Sequence, residues 1–157
     1  MGQKGTEAGE YFLKGASCSQ AVLAAFHSEI GLDEKTALKL ASSFGAGMGR
    51  LREVCGALSA AFMIAGLLYG YAGLEDEDVK AAHYKRIRDL AHDFKERNGS
   101  ILCRELLGLE AAEESWTPEA RTQTYYESRP CLEIVKSAAD RMENYIKSKE
   151  FGKEDEQ

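Results

Sequence analysis

The residues with the most reactive side chains in this 157-residue chain are its four cysteines, Cys18, Cys55, Cys103 and Cys131. A cysteine thiolate is both a nucleophile and a metal ligand. No two of them form a C-x-x-C pair, so the sequence lacks the short motifs of thioredoxin-like proteins, zinc ribbons and c-type haem attachment. Any site that combines these thiols must therefore be assembled by the fold.

Each cysteine falls in the first turn of a predicted helix. The helix-start signals beside them are a capping box at Ser17 and Gln20, a glycine-rich loop over 45–49, Ser100, and Pro130. Unpaired N–H groups and the helix dipole favour negative charge at such positions, so we expect these thiols to ionise easily. We also expect the four helix starts to meet at one end of a bundle.

The elements that must position the cysteines are helical throughout. The chain has only two prolines, its apolar residues recur at helical spacing, and no stretch alternates as a strand would. This pattern predicts an all-α fold, a single compact bundle of about five to seven helices over residues 1–150. The apolar segment 54–69 is predicted to be its buried central helix, because it is hydrophobic on all sides.

Three further segments are predicted to be a loop, a tail and a helix start. The acidic segment 110–114 reads as a solvated loop, and residues 151–157 as a flexible acidic tail. In the segment TPEA (117–120), Thr117 is a good N-cap and Pro118 suits a first helical turn. We therefore expect a helix to begin there.

Composition narrows the range of functions. The formal charge is −6 and the isoelectric point is about 5.2, which argues against a nucleic-acid partner. The first ten residues lack the basic start and apolar core of a secretory signal, so we expect a cytoplasmic location. Residues 54–74 carry no charge, but glycines and tyrosines interrupt them, which argues against a membrane span.

The segment CGALSA (55–60) resembles the motif of a known family. Together with SCSQAVL upstream, GLLYG after it, CRELLG and a late PC, it resembles the redox-active family named for its C_GCAxxG_C_C pattern. The resemblance extends over roughly residues 10–145. This sequence departs from the pattern at Ala60, where the motif has its final glycine.

The resemblance implies which residues are functional. They are the four cysteines already named, with Gly56 and Ala57 as the small residues of the motif that would border a bound cofactor. A similarity to the cysteine-bearing part of split-Soret cytochromes adds an iron–sulfur cluster to the alternatives. Small residues beside Cys55 would also let another helix start, and its thiol, come close. On that reasoning we expect Cys18 to be the partner of Cys55.

Three functional hypotheses remain open. In the first, the four cysteines carry thiol–disulfide or electron-transfer chemistry with a redox partner protein or a small thiol. In the second, the same four thiolates bind zinc or an iron–sulfur cluster. In the third, the chain is a helical interaction module with inert buried cysteines. All three leave the formation of a homo-oligomer open.

Other residues suggest secondary hypotheses. Arg50 and Arg52 could hold an anion or stabilise a nearby thiolate, and His83 lies on an apolar stripe where it could serve as a ligand. The segment GAGMGR (45–50) is glycine-rich, but it lacks both the spacing and the preceding strand of a dinucleotide-binding site.

Overall fold

The protein is described by a computed structural model that covers residues 2–110 and 115–154, with side chains up to residue 150. Its principal helices are α1 (Gln3–Leu13), α2 (Cys18–Ala25), α3 (Glu34–Ala41), α4 (Gly56–Tyr69), α5 (Glu77–Asn98), α6 (Cys103–Leu106), α7 (Gln123–Ser128) and α8 (Cys131–Glu154). Between α3 and α4, Ser42–Phe44 form a 3-10 turn and Gly45–Met48 form one further turn that contains left-handed φ angles at Ala46 and Gly47. Six of these helices have eight or more residues, within the predicted range of five to seven. In the described part of the chain there are no strands, so the all-α prediction is confirmed.

Helix boundaries follow local signals in the sequence. Ser17 accepts a hydrogen bond from the Gln20 amide while the Gln20 side chain bonds back to the Ser17 amide, which is the predicted capping box. Asp33 caps α3 through the Thr36 amide, and Gly99 ends α5 in a left-handed conformation. These contacts satisfy backbone groups that helix ends leave unpaired.

Helix α2 occupies the middle of the bundle. It packs against α1, α3, α4 and α8, and the side chains of Ala21, Val22, Leu23 and Ala24 are completely buried. Alanine and serine positions on this short helix allow its neighbours to approach closely. The result is that the start of α2, with Cys18, lies among the starts of other helices.

Helix α4 is the buried helix predicted near 54–69. Its first six residues, from Gly56 to Ala61, are buried, as are Ile64 and Ala65. The last turn reaches the surface, where Leu67 is 51% exposed. No helix in the described residues is both long enough and apolar enough to cross a membrane.

Two connections hold the starts of α4 and α6 side by side. Val54 and Leu102 form an isolated antiparallel bridge. The Cys55 amide donates to the Ile101 carbonyl at 2.8 Å, and the Cys103 amide donates to the Glu53 carbonyl at 2.6 Å. Backbone hydrogen bonds therefore fix Cys55 and Cys103 next to each other, although they are far apart in the sequence.

The predicted helix start at Thr117 and Pro118 is wrong. Residues 115–122 are not helical, and α7 begins at Gln123 with Thr122 as its cap. The reason is tertiary, because Arg121 donates hydrogen bonds to the carbonyls of Phe12 and Ala16 and so ties this segment across the end of α1.

The two predicted acidic segments lie largely outside the described residues. Of the loop at 110–114, only Glu110 is described. Helix α8 continues through the boundary at 150 as far as Glu154, and the final residues 155–157 are outside the described part.

Candidate functional site

All four cysteines meet at one end of the bundle. They line a single small cavity of about 20 Å³, which we call the inner cavity, and all four are free thiols. A space of this size holds about one water molecule. The prediction that the four helix starts converge is therefore confirmed.

The position of each cysteine relative to its helix also matches the prediction. Cys18, Cys103 and Cys131 are the first residues of α2, α6 and α8, and Cys55 is the N-cap of α4. Each sulfur thus lies where amide N–H groups are left unpaired by the helix. The positions alone do not make the four thiols equivalent, because their burial and their neighbours differ.

Two glycines allow the elements to come this close. A Cβ on Gly56 would lie 2.8 Å from the Phe44 carbonyl oxygen and 3.0 Å from the Ser19 amide nitrogen. A Cβ on Gly47, which has φ of +70°, would lie 2.7 Å from the Cys103 Cβ. The expectation that small residues beside Cys55 let another helix start approach is met at Gly56, whose close neighbour Ser19 follows Cys18.

Cys18 and Cys131 form a hydrogen-bonded pair. The Cys18 thiol donates to the Cys131 sulfur, and this bond is the largest cause that lowers the pKa of Cys131, to about 7. Burial opposes the shift, while the positive charges of Arg129, Arg52 and Arg121 add to it. The same hydrogen bond, followed by burial, raises the pKa of Cys18 well above its usual range.

The other two thiols are held in the protonated form. Burial raises the pKa of Cys55 to about 12, although the amides of Ala57 and Leu58 partly offset it. Burial also raises the pKa of Cys103, against the hydrogen bond and charge of Arg52. The expectation that all four helix-start thiols ionise easily is therefore wrong for three of them. Burial outweighs the helix end at Cys55 and Cys103, and the hydrogen bond with Cys131, followed by burial, does so at Cys18.

The predicted partnership of Cys18 with Cys55 stays a prediction. Both residues line the inner cavity, and a negative charge on Cys55 would raise the pKa of Cys18, but the largest cause of that raised pKa is the hydrogen bond between Cys18 and Cys131. The helix that supplies the partner is α8, whose apolar face packs on α1, α2 and α4.

Arg52 is a charged residue inside the site. Only 2% of it is exposed, and its Nη1 lies 3.5 Å from the Cys103 sulfur. The sequence hypothesis that a basic loop residue stands beside a thiol is therefore met by Arg52. The backbone around it is strained, because Ala46, Met48, Arg50 and Arg52 all have left-handed φ angles between 55° and 69°. Such conformations cost about 1–3 kcal/mol each and cluster at functional sites.

A larger cavity of about 260 Å³ opens beside three of the thiols, and we call it the outer cavity. Its lining includes Cys18, Cys103, Cys131, Arg50, Arg52, Arg121, Arg129, Trp116, Tyr125 and Glu119. Sequence reasoning identified Arg50 and Arg52 but missed Arg121 and Arg129. The available signal was that two arginines precede Cys131 within ten residues.

Arginines and an aromatic ring are stacked in the wall of the outer cavity. The guanidinium groups of Arg121 and Arg129 lie 4.8 and 4.5 Å from the centre of the Tyr125 ring. Arg129 and Arg50 both pair with the carboxylate of Glu119. These contacts hold positive charge close to the Cys131 sulfur.

The cysteines do not form a metal site as they are arranged. In the described residues, no group of three or more histidine, cysteine or acidic side chains is placed to hold a metal ion. The inner cavity of about 20 Å³ is also far too small for an iron–sulfur cluster. The zinc and cluster hypotheses thus lack a preformed set of ligands here.

The remaining sequence candidates lie elsewhere or act through packing. His83 contacts Arg86 and the ring of Tyr71, and none of these three lines either cavity of the cysteines. Gly56 lines the inner cavity, whereas Ala57 is completely buried in the core. Ala60, the departure from the motif, is also completely buried, so the core accommodates its methyl group.

Comparison with known proteins agrees with the cysteine pattern. No curated protein and no solved structure matches the chain. The family described as "Putative redox-active protein (C_GCAxxG_C_C)" matches it over residues 16–145, a span that contains all four cysteines and most of the bundle. The chain therefore belongs to the C_GCAxxG_C_C family.

Proposed function

We propose that this protein carries out thiol–disulfide exchange, with Cys131 as the attacking thiol and Cys18 as the resolving thiol. The observation that carries the proposal is that Cys18 and Cys131 line both the inner and the outer cavity, where the interaction with Cys18 is the largest cause that lowers the pKa of Cys131, to about 7. About half of such a thiol is ionised at pH 7, against about 1% of a thiol with a pKa of 9. The outer cavity, which both residues line, offers a route for a substrate.

The reaction proceeds in two exchanges. The Cys131 thiolate attacks one sulfur of a substrate disulfide, forms a mixed disulfide and releases the other half of the substrate as a thiolate. The Cys18 sulfur then attacks the Cys131 sulfur, forms the Cys18–Cys131 disulfide and releases the second half. The Cys18 proton and one from solvent leave with the two product thiols. Two electrons have passed from the protein to the substrate, and a dithiol reductant restores the starting state by the reverse exchange.

Cys103 and Cys55 have supporting roles in this mechanism. Both are protonated and buried, so neither competes with Cys131 for a substrate at neutral pH. Arg52, which donates to the Cys103 sulfur, also lowers the pKa of Cys131 through its positive charge and so stabilises the thiolate. The substrate is a protein disulfide or a low-molecular-weight disulfide.

The test is to identify the disulfide that forms. Reduced protein, prepared without oxygen, is treated with a stoichiometric amount of 2-hydroxyethyl disulfide, quenched in acid and mapped by mass spectrometry without reduction. We expect a Cys18–Cys131 disulfide, with Cys55 and Cys103 recovered as free thiols. The same disulfide should form in Cys103→Ser and should be absent in Cys131→Ser.

The same preparation separates the alternatives. Iron or zinc bound in stoichiometric amount, and released when Cys55 or Cys103 is replaced, would overturn the exchange mechanism in favour of a metal site. Four thiols that neither oxidise nor alkylate in the folded protein would overturn it in favour of an inert helical module. A disulfide between Cys55 and Cys103 would refute the assigned roles.

A further inference from the structure

We infer that the outer cavity binds the substrate through its carboxylates, so that the preferred substrate is a small disulfide with an anionic group on each half. The inference rests on the proposed function for the redox step but not for the binding step. It follows from the charges, the internal ion pairs and the size of this cavity.

The lining of the outer cavity has the opposite charge to the protein as a whole. The chain has a net charge of −6, yet four arginines line the cavity, and Glu119 is the one acidic side chain among its described lining residues. Arg52 is 2% exposed, and the side chains of Arg50 and Arg129 are 13% and 17% exposed. The poorly solvated Arg129 charge is weakly screened and, together with Arg121, favours an anion in the part of the cavity beside Cys131.

The protein itself places a carboxylate in this cavity. The two oxygens of Glu119 contact different arginines, one at 3.9 Å from Arg50 and the other in close contact with Arg129. The Glu119 side chain is 43% exposed, so it has room to turn into solvent when a substrate carboxylate takes its place. A substrate carboxylate would exchange with Glu119 between the same two guanidinium groups.

The size and walls of the cavity limit the ligand. A volume of about 260 Å³ is just below the usual range for drug-sized ligands, which favours a small molecule over a protein segment. Tyr125, held by Arg121 and Arg129, covers one side, and Trp116, which is 84% exposed, stands at the surface. Trp116 is also the only tryptophan in the chain, so its fluorescence reports on this cavity alone.

The first experiment compares three disulfides that differ in charge. Wild-type protein is oxidised with 3,3′-dithiodipropionate (two carboxylates), 2-hydroxyethyl disulfide (neutral) and cystamine (two ammonium groups) at low ionic strength. Each rate is divided by the rate at which 2-mercaptoethanol reduces the same disulfide. This ratio corrects for differences in the intrinsic reactivity of the three disulfides. We expect the dicarboxylate to exceed the neutral disulfide by about tenfold, the cation to be slowest, and the difference to shrink with added salt.

Variants test the contacts through the ratio of the dicarboxylate rate to the neutral rate. Arg129→Gln should lower this ratio several-fold and Arg129→Lys should largely preserve it. Glu119→Gln, which removes the negative charge paired with Arg129, should raise it. A change in the pKa of Cys131 slows all three disulfides alike and leaves the ratio unchanged. Arg88→Gln, on the exposed face of α5, is the matched control and should have no effect.

The second experiment measures binding without redox chemistry. Suberate has the length and charges of dithiodipropionate but no disulfide, and suberamide is its neutral counterpart. We expect suberate, but not suberamide, to change Trp116 fluorescence and to slow alkylation of Cys131. Both effects should weaken in Arg129→Gln and strengthen in Glu119→Gln.

The outcomes separate this inference from the proposed function. Oxidation of Cys131 with equal normalised rates for all three disulfides would overturn the anion preference and leave the exchange mechanism standing. Suberate binding without oxidation by any disulfide would refute the exchange mechanism and support the anion site. Absence of suberate binding together with an unchanged ratio in Arg129→Gln would overturn the inference outright.

Discussion

The two halves of the cysteine cluster begin helices in the same way and differ in what surrounds the sulfur. Cys55 and Cys103 are joined by backbone hydrogen bonds between the starts of α4 and α6, and both are buried. Cys18 and Cys131, at the starts of α2 and α8, are partly exposed and share a thiol hydrogen bond. Of the four, only Cys131 has a lowered pKa.

The comparison shows which physical effect decides the reactivity of a thiol here. A helix terminus contributes about 0.3–1 kcal/mol to a nearby charge, up to about 2 kcal/mol when partly buried. One pKa unit corresponds to about 1.4 kcal/mol, and burial can shift a pKa by several units. Helix starts therefore cannot keep Cys55 ionised, whereas a thiol donor and three arginines can favour the Cys131 thiolate.

The largest expected effect is the loss of Cys131. In wild-type protein, alkylation by iodoacetamide at pH 7 should show one fast thiol with a half-maximal rate near pH 7. At pH 7 the ionised fraction of Cys131 is about fifty times that of a thiol with a pKa of 9. Because a thiolate of lower pKa is a weaker nucleophile, the expected advantage in alkylation rate is about sixfold. Cys131→Ser should lose the fast phase entirely, and Cys103→Ser should keep it. A fast phase that remains in Cys131→Ser would show that another cysteine is the reactive thiol.

Cys18 has two roles in the proposed mechanism: it donates a hydrogen bond to Cys131, and it resolves the mixed disulfide. Substitution by alanine and by serine separates these roles. Cys18→Ala removes a hydrogen bond to a charged group, worth about 1.5–3 kcal/mol, so the midpoint of the pH–alkylation profile of Cys131 should rise by about one to two pH units. Cys18→Ser keeps a donor, so its midpoint should stay closer to 7. Both variants should accumulate a mixed disulfide on Cys131, measured by intact mass, because neither can resolve it. Prompt release of the mixed disulfide would assign resolution to another cysteine.

Much of this arrangement could be predicted from the sequence. Capping residues such as Ser17 and Asp33 act within one helical turn, so the helix starts and the positions of the cysteines on them were accessible. The apolar segment that became α4 has no polar face, which requires burial on several sides. Convergence of the thiols followed from these two facts together.

Which cysteines contact each other could not be predicted from local signals in the sequence. Whether Cys18 meets Cys55 or Cys131 depends on how α8 crosses α2, which no local signal encodes. The segment around Thr117 has the residues of a helix start but is tied to α1 by Arg121 instead. The same long-range contact builds one wall of the outer cavity, so the cavity could not be foreseen either.

A smaller effect is expected at Gly56, where the two halves of the cluster meet. Gly56→Ala would place a methyl group 2.8 Å from the Phe44 carbonyl and 3.0 Å from the Ser19 amide, so α2 and α4 must separate. We expect a loss of about 1–3 kcal/mol in the free energy of unfolding, measured by urea denaturation. Gly66→Ala in the same helix meets nothing within 4 Å and should be neutral or stabilising by up to about 1 kcal/mol. Equal effects of the two substitutions would show that the contact is not tight.

The smallest effect is expected at Cys55, and it tests the comparison most directly. Cys55 is 6% exposed, and its pKa of about 12 keeps it protonated at neutral pH. Cys55→Ala should therefore cost about 1 kcal/mol of unfolding free energy through a small cavity. The rate of oxidation by 2-hydroxyethyl disulfide, and the Cys18–Cys131 disulfide found by peptide mapping, should be the same as in the wild type. A variant that is stable but no longer forms this disulfide would make Cys55 a redox partner, and the division of the cluster into a reactive half and a buried half would be wrong.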